Sequence, residues 1–384
     1  MQWLRLKVRK FRKWRARRQL ESSLLKSGKS FSAQKKIAQS LLIGPANSAG
    51  QASAWASALR ANGKSAQSLR IANSEEREWF DADITVERLK WTQASGRVDL
   101  VKQVSEEFTH LLLESARPLF ALRTERTYNA KRALEDLLFL GKMGKQVGIV
   151  FHGSDIRDST WHGQLNPHSP YREVRPEMLG IQERAADARI ILPALKRKKI
   201  PVFVTTHDLF HEIPWATWLP IAVDLQPFFE VAKGSPAFTN AGPIRVLFLP
   251  SKGWIKSAAI IEPILDQLER EGTIVRVRSE SVAHSEVPQL LAKCDVVVDQ
   301  FTGIYGALAI EALAAGRTVI SHLESSYYEN SGVNPPIVEA TPESLRSVLM
   351  EIAGTRKATV NGSEFAQRWH SGAMSAQVIT DKLL

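Results

Sequence analysis

The chain has little cysteine: Cys294 is the only one among 384 residues. No intrachain disulfide and no cysteine zinc cluster can therefore form, and a reducing compartment is expected. No run of about 18 apolar residues occurs anywhere, so no segment is long enough to span a bilayer. No apolar stretch follows the basic residues at the start of the chain, which argues against a secretory signal. The composition, 44% hydrophobic and 24% charged, excludes a disordered or fibrous protein. A chain of this length is larger than a single core usually grows, so two domains are expected.

Acidic residues are absent from positions 1–18, MQWLRLKVRKFRKWRARR, which hold nine Lys and Arg. Without them the formal charge falls from +11 to 42 basic against 40 acidic residues. The basicity belongs to one arm, set at residues 1–30. Leu4, Val8, Phe11 and Trp14 recur at helical spacing, with Trp3 and Leu6 close by. Such a helix suits an anionic membrane interface. A solvated basic tail is the second reading of the arm and a nucleic-acid arm the third. The near-neutral body speaks against nucleic acid as a partner.

After the arm, short apolar strand candidates alternate with helical patterns, the mark of parallel sheets built from βαβ units. The first half places strands at 40–44, 67–71, 109–113, 147–151 and 201–205. The second places them at 244–249, 273–278, 295–299, 318–322 and 337–338. Between the halves, VAKGSPAFTNAGP is rich in Gly, Pro, Ser and Asn and reads as a linker. Parallel sheets bind ligands at the carboxyl ends of their strands, so two facing sheets would enclose one cleft lined by the following loops.

Four of those loops carry candidate chemistry. Gly44, Asn47 and Gly50 shape the loop after the first strand, ahead of a helix whose N-terminus can receive an anion or a hydroxylated substrate. It is not a GxGxxG loop. The fourth strand ends in FHGSD, placing His152 and Asp155 where an imidazole and a carboxylate can exchange protons with a substrate. The stretch beyond it, to Tyr171, reads as a long irregular loop. Its His162 and His168 lack metal-ligand spacing, and no metal is expected. The first strand of the second half leads into PSKGWIKS, offering Ser251, Lys252 and Lys256 to a diphosphate.

The fourth loop opens FTGIYGALAIEALAAG, residues 301–316. A helix starting near Ile304, Tyr305 and Gly306 would aim free N–H groups at a phosphate, with glycine allowing close approach. Glu311 would then lie about 7 Å further along the axis, near the offset of a ribose from its diphosphate. Two ribose hydroxyls would satisfy a carboxylate that is otherwise costly to bury.

GALAIEALAAGRTVIS, with KCDVVVDQF, PSKGWIKS, HGSD and VTTHDLFHEIPWATWLPIAVD in order and spacing, resembles the retaining GT-B glycosyltransferases of glycosyltransferase family 4, over roughly residues 38 to 380. The resemblance implies an α/β GT-B fold: two Rossmann-like parallel-sheet domains facing a central cleft. It sets an acceptor domain at 37–228, a linker at 229–243, a nucleotide-sugar domain at 244–360 and a crossover helix at 361–384. It implies that Lys256 contacts the donor diphosphate, that the Tyr305–Gly306 backbone cradles it and that Glu311 holds the ribose. His152 would lie near the transferred sugar. No metal or other cofactor is implied, because a cation and a helix dipole stabilise the leaving group.

The sequence departs from that pattern at Gly303, which stands where the family has its first glutamate, eight positions before the second. Asp299, four residues earlier, is the candidate substitute. The expected activity is transfer of a sugar, with retention, to a glycan or lipid-linked acceptor in exopolysaccharide or cell-envelope synthesis. The hexosyltransferase type is expected, in the cytoplasm and peripheral on the inner membrane face. The alternative, supported by Gly303, is a non-catalytic GT-B protein that binds a nucleotide sugar or glycan.

Overall fold

A computed structural model describes residues 38–72, 80–120, 129–173, 175–250, 256–279, 282–329 and 331–384. The basic arm at 1–30, Ser251 and Lys252 lie outside the described residues.

Among the described residues twelve strands form two sheets. The first holds β1 (Ser40–Gly44), β2 (Ser65–Ala72), β3 (Ile84–Glu87), β4 (His110–Glu114), β5 (Gln146–Phe151), β6 (Val202–Val204) and β7 (Thr217–Trp218), in the order β3-β2-β1-β4-β5-β6-β7. The second holds β8 (Ile244–Phe248), β9 (Ile274–Val277), β10 (Val296–Val298), β11 (Thr318–Ser321) and β12 (Val338–Glu339), in the order β12-β11-β10-β8-β9. Leu42 pairs with Leu111 in the first sheet, and Val297 pairs with Leu247 and Val319 in the second, all in parallel register. Parallel strands are covered on both faces and so read as continuous apolar runs. SLLIG and HLLLE are buried at every position, as is VVV in β10. Each fully buried Leu, Ile or Val contributes about 1.5–3 kcal/mol over its exposed state.

All ten expected strands form, shifted by a residue or two at their ends. The two that sequence reading missed are the two edge strands of the first sheet. β3 is ITVE, half-buried and exposed in alternation, and β7 has only two residues. The described chain falls into two compact units. Residues up to 151 with 187–202 and 380–384 form the first; 152–186 and 203–379 form the second.

The stretch set as a linker, 229–243, begins inside the helix Gln226–Gly234, anchored by Phe228, and only then becomes irregular. The closing segment 361–384 is two helices, Gly362–His370 and Ala373–Lys382, parted at Gly372 with φ +86°. The stretch beyond FHGSD to Tyr171, expected to be a long irregular loop, contains the helix Ser159–Leu165, capped by Asp158, whose carboxylate accepts from the amides of Thr160 and Trp161. Cys294 is buried, and burial pushes its thiol up to about 12, so it is inert at neutral pH.

Candidate functional site

In the second unit, β10 delivers the chain to Asp299, and the loop 301–306 then opens the helix Ala307–Ala314 at Gly306. Every residue from Leu308 to Ala314 is buried, including Glu311 at 4% exposure. Its partner is His284, whose Nε2 lies 2.8 Å from Glu311 Oε1. That hydrogen bond, more than any other influence, raises the His284 pKa above the ordinary histidine value, against the effect of burial. His284 sits 27 residues away in SVAHSE, where no spacing marks it as the carboxylate's partner.

Gly306, Lys256 and Asp299 come together at the helix entrance. The Gly306 N–H donates to Asp299 Oδ2 at 2.9 Å, and Lys256 Nζ pairs with Asp299 Oδ1. Asp299 is fully buried and Lys256 is 12% exposed, so the pair is nearly dry. A helix N-terminus with a lysine beside it is an anion site. Here the anion is the protein's own carboxylate.

Ile304 and Tyr305 lie in the same loop. The Ile304 carbonyl accepts from Gln300 Nε2 at 2.9 Å, and the buried Tyr305 hydroxyl meets His370 Nε2 at 3.1 Å. His370 Nδ1 lies 2.8 Å from the Ile221 carbonyl, which must accept, so Nε2 of the neutral ring accepts from Tyr305. Burial pushes His370 down to about 4, consistent with a neutral ring, and raises Tyr305 above its ordinary value.

Gly303 has φ +82°, and a Cβ there would stand 2.9 Å from Tyr327 Cε2, 3.0 Å from Asn166 Nδ2 and 3.0 Å from Glu324 Cβ. The place of the family's first glutamate is occupied by these three side chains.

His152 and Asp155 also lie in the second unit, immediately past β5. The Asp155 carboxylate accepts from the His152 N–H at 3.0 Å and the Gly153 N–H at 2.8 Å, so it shapes the turn. His152 is half-buried, and its carbonyl accepts from Thr205 Oγ1 at 3.2 Å. Behind the turn, Arg157 Nε donates to Asp208 Oδ2 at 2.5 Å in a buried ion pair. Burial alone would raise the Asp208 pKa, but Arg157 holds it below the usual carboxylate value. Sequence reading passed over this pair, although Asp208 stands in VTTHDLF and Arg157 lies two residues past FHGSD. Among the described residues no cluster of three metal-ligating side chains occurs.

In the first unit, Gly44, Asn47 and Gly50 form the loop ahead of the helix Gln51–Ala61. Glu114, fully buried at the end of β4, accepts from the N–H groups of Ala46 at 3.0 Å, Asn47 at 2.7 Å and Ser48 at 3.2 Å. Asn47 Oδ1 accepts from Ser53 N at 3.1 Å, while its Nδ2 donates to the Asp81 carbonyl. A Cβ on Gly44 would lie 2.5 Å from the Leu69 carbonyl oxygen, and one on Gly50 2.6 Å from the Phe80 ring. Glu114 and Asp155 thus each fill a set of backbone donors, and Asp299 fills one backbone N–H and the Lys256 ammonium, where the sequence suggested an open loop.

No family model and no curated protein sequence matches the chain. Solved structures do resemble it. The Anabaena protein Alr3699/HepE, in complex with UDP and glucose, superposes with a TM-score of 0.54 at 13% identity, over 89% of this chain and 98% of its own. Sucrose-phosphate synthase (tll1590) from Thermosynechococcus elongatus gives 0.53 at 13% identity, over 90% and 98%. A glycosyltransferase from Rickettsia africae ESF-5 gives 0.52 at 11% identity, over 91% and 98%. The fold is GT-B, with two parallel-sheet α/β domains. At these identities the likeness extends to the fold and no further.

Proposed function

We propose that the chain is a glycosyltransferase that takes its sugar from a nucleotide-diphosphate donor. The observation that carries this reading is the convergence of the Lys256 ammonium and the Gly306 amide on one anion at a helix N-terminus, with Glu311 further along the same helix. A diphosphate entering there replaces the Asp299 carboxylate, and Lys256 with the helix end stabilises charge on the leaving group. Glu311 accepts from the ribose hydroxyls in exchange for, or beside, His284. His152 lies near the transferred sugar, with Asp155 holding the turn that presents it. The positive charge comes from the protein, and no metal is invoked.

The finer reading is transfer of a hexose with retention to a glycan or lipid-linked acceptor, in exopolysaccharide or cell-envelope synthesis. In it residues 37–228 serve the acceptor and 244–360 the donor. Residues 1–18 dock the enzyme on the anionic cytoplasmic face of a membrane. UDP and glucose bound to HepE favour the uridine series as the first to test. A thermal-shift screen with UDP, GDP and their sugars, repeated on Lys256→Ala and Glu311→Ala, tests the donor site. Ligand at 100 times its dissociation constant adds about 2.7 kcal/mol of stability. Both substitutions should remove the shift. No shift with any nucleotide would end the donor reading.

The second reading, a GT-B protein that binds a nucleotide sugar without turning it over, is favoured by Gly303, whose surroundings leave no room for the missing carboxylate. Release of UDP from a donor that binds, measured with and without candidate acceptors, separates the two.

A further inference from the structure

Beside the donor loop, the second unit holds a pocket of about 420 Å³ built from residues between His207 and Trp218 together with Ser326, Tyr327, Glu329 and Ser331. Rings dominate its lining: His207, Phe210, His211, Trp218 and Tyr327. Among the described residues its one charged side chain is Glu329, and no lysine or arginine lines it. Burial pushes His207 down to about 4, so that ring is uncharged at neutral pH.

The chemistry of this lining excludes more than it admits. A phosphate would enter facing a carboxylate with no cation to receive it. An acyl chain would cover the Glu329 carboxylate without offering it a hydrogen bond, which is costly. A sugar ring suits both parts. Its C–H face carries partial positive charge toward the negative face of an aromatic ring. Its hydroxyls donate to a carboxylate with about four acceptor positions. The volume falls at the small end of ligand pockets, roughly 300–1,000 Å³.

Tyr327 links the pocket to the donor loop. It is 4% exposed, and its hydroxyl has no hydrogen-bond partner among the described residues. The same ring stands against Gly303, 2.9 Å from where a Cβ would be. The side chain that takes up the space of the family's first glutamate is therefore also a wall of this pocket, and Glu329, two residues on, brings a carboxylate to it.

We propose that this pocket binds an uncharged pyranose unit, with Glu329 accepting its hydroxyls. The glycosyltransferase reading is needed only to say whose sugar it is: that of the donor or the terminal unit of the acceptor.

Saturation-transfer NMR on the full-length protein tests this with the methyl glycosides of glucose, galactose, mannose and N-acetylglucosamine as probes. At least one should bind. Glu329→Gln, at an exposed position, should weaken it about tenfold, the loss of a hydrogen bond to a charged group, and Tyr327→Phe should weaken it less. Neither variant should change the affinity for UDP. Displacement of the glycoside by UDP-glucose but not by UDP assigns the donor's sugar; simultaneous binding assigns the acceptor's. Absence of binding by all four glycosides at about 10 mM, undiminished binding to Glu329→Gln, or displacement by uridine alone would overturn the proposal. Glycoside binding without any nucleotide binding would leave the pocket standing and remove the donor reading.

Discussion

On the proposed donor reading, replacing Asp299 with asparagine should tighten the binding of a nucleoside diphosphate such as UDP while making the unliganded protein less stable. In the structure the Asp299 carboxylate already holds the two groups that a phosphate would use, the Lys256 ammonium and the Gly306 N–H. A Cβ built on Gly306 lies 3.4 Å from Asp299 Oδ2 and 3.8 Å from Lys256 Nζ, so a phosphate oxygen touching both donors comes within about 4 Å of the carboxylate. Two like charges at that distance repel by about 4 kcal/mol at an effective dielectric constant of 20. Asparagine removes the repulsion and keeps an oxygen for the Gly306 amide. Even a third of that energy is worth about tenfold in affinity. The cost appears without ligand, where Lys256 loses its counter-charge. Removing one partner of a buried pair costs about 3–5 kcal/mol, and the 12% exposure of Lys256 with an isosteric replacement brings this nearer to 1–3. Calorimetric titration with UDP in EDTA, beside thermal melts of the apo proteins, measures both effects. Equal or weaker UDP binding by Asp299→Asn would refute the competition. A magnesium-dependent gain shown by the wild type alone would make Asp299 a metal-facing group instead.

Three other outcomes are expected. His284 has a raised pKa in the folded state, so its pair with Glu311 adds stability that is fully present below the unfolded value of about 6.5 and is lost as pH rises through the folded value. With the His284 side chain 39% exposed, solvent screening keeps the effect below about 1 kcal/mol, and Glu311→Gln should flatten it in melting curves taken between pH 5.5 and 9. Gly303→Ala should cost about 2–4 kcal/mol in urea unfolding, from a positive φ and close contacts with Tyr327, Asn166 and Glu324; an unchanged midpoint would contradict the packing described. Asp208→Ala should cost about 3–5 kcal/mol by stranding the buried Arg157, whereas replacing both residues with apolar ones should restore much of the loss.

The strands were legible because both sheets are parallel and covered on both faces, so LLI within SLLIG and VVV within DVVVD stand out as short apolar runs. ITVE was missed because only one face of that edge strand is even half-buried. The helix around Glu311 was legible for the same reason as the strands, since small apolar residues at every turn mark a core helix. Its partner was not. His284 meets Glu311 through the fold rather than through helical or strand spacing, and nothing local to SVAHSE records the meeting. The same holds for Glu114, whose acceptors reach amides 66 to 68 residues away. Strand-end carboxylates can be counted in a sequence, but whether they await a ligand or already hold backbone amides depends on pairings of that length.

The hydrogen bond from Tyr305 to His370 has a practical side. Residue 370 lies in the first of the two closing helices, and its own carbonyl accepts from Val223 N at 2.8 Å, while Ser375 Oγ donates to the Pro220 carbonyl at 2.8 Å. The end of the chain therefore serves as a brace for the loop at Tyr305 and for residues 220–223. A shortened version that stops ahead of Gly362 would keep every residue assigned to the donor and still lose the support of the loop that carries Gly306. Expression handles belong at the other end.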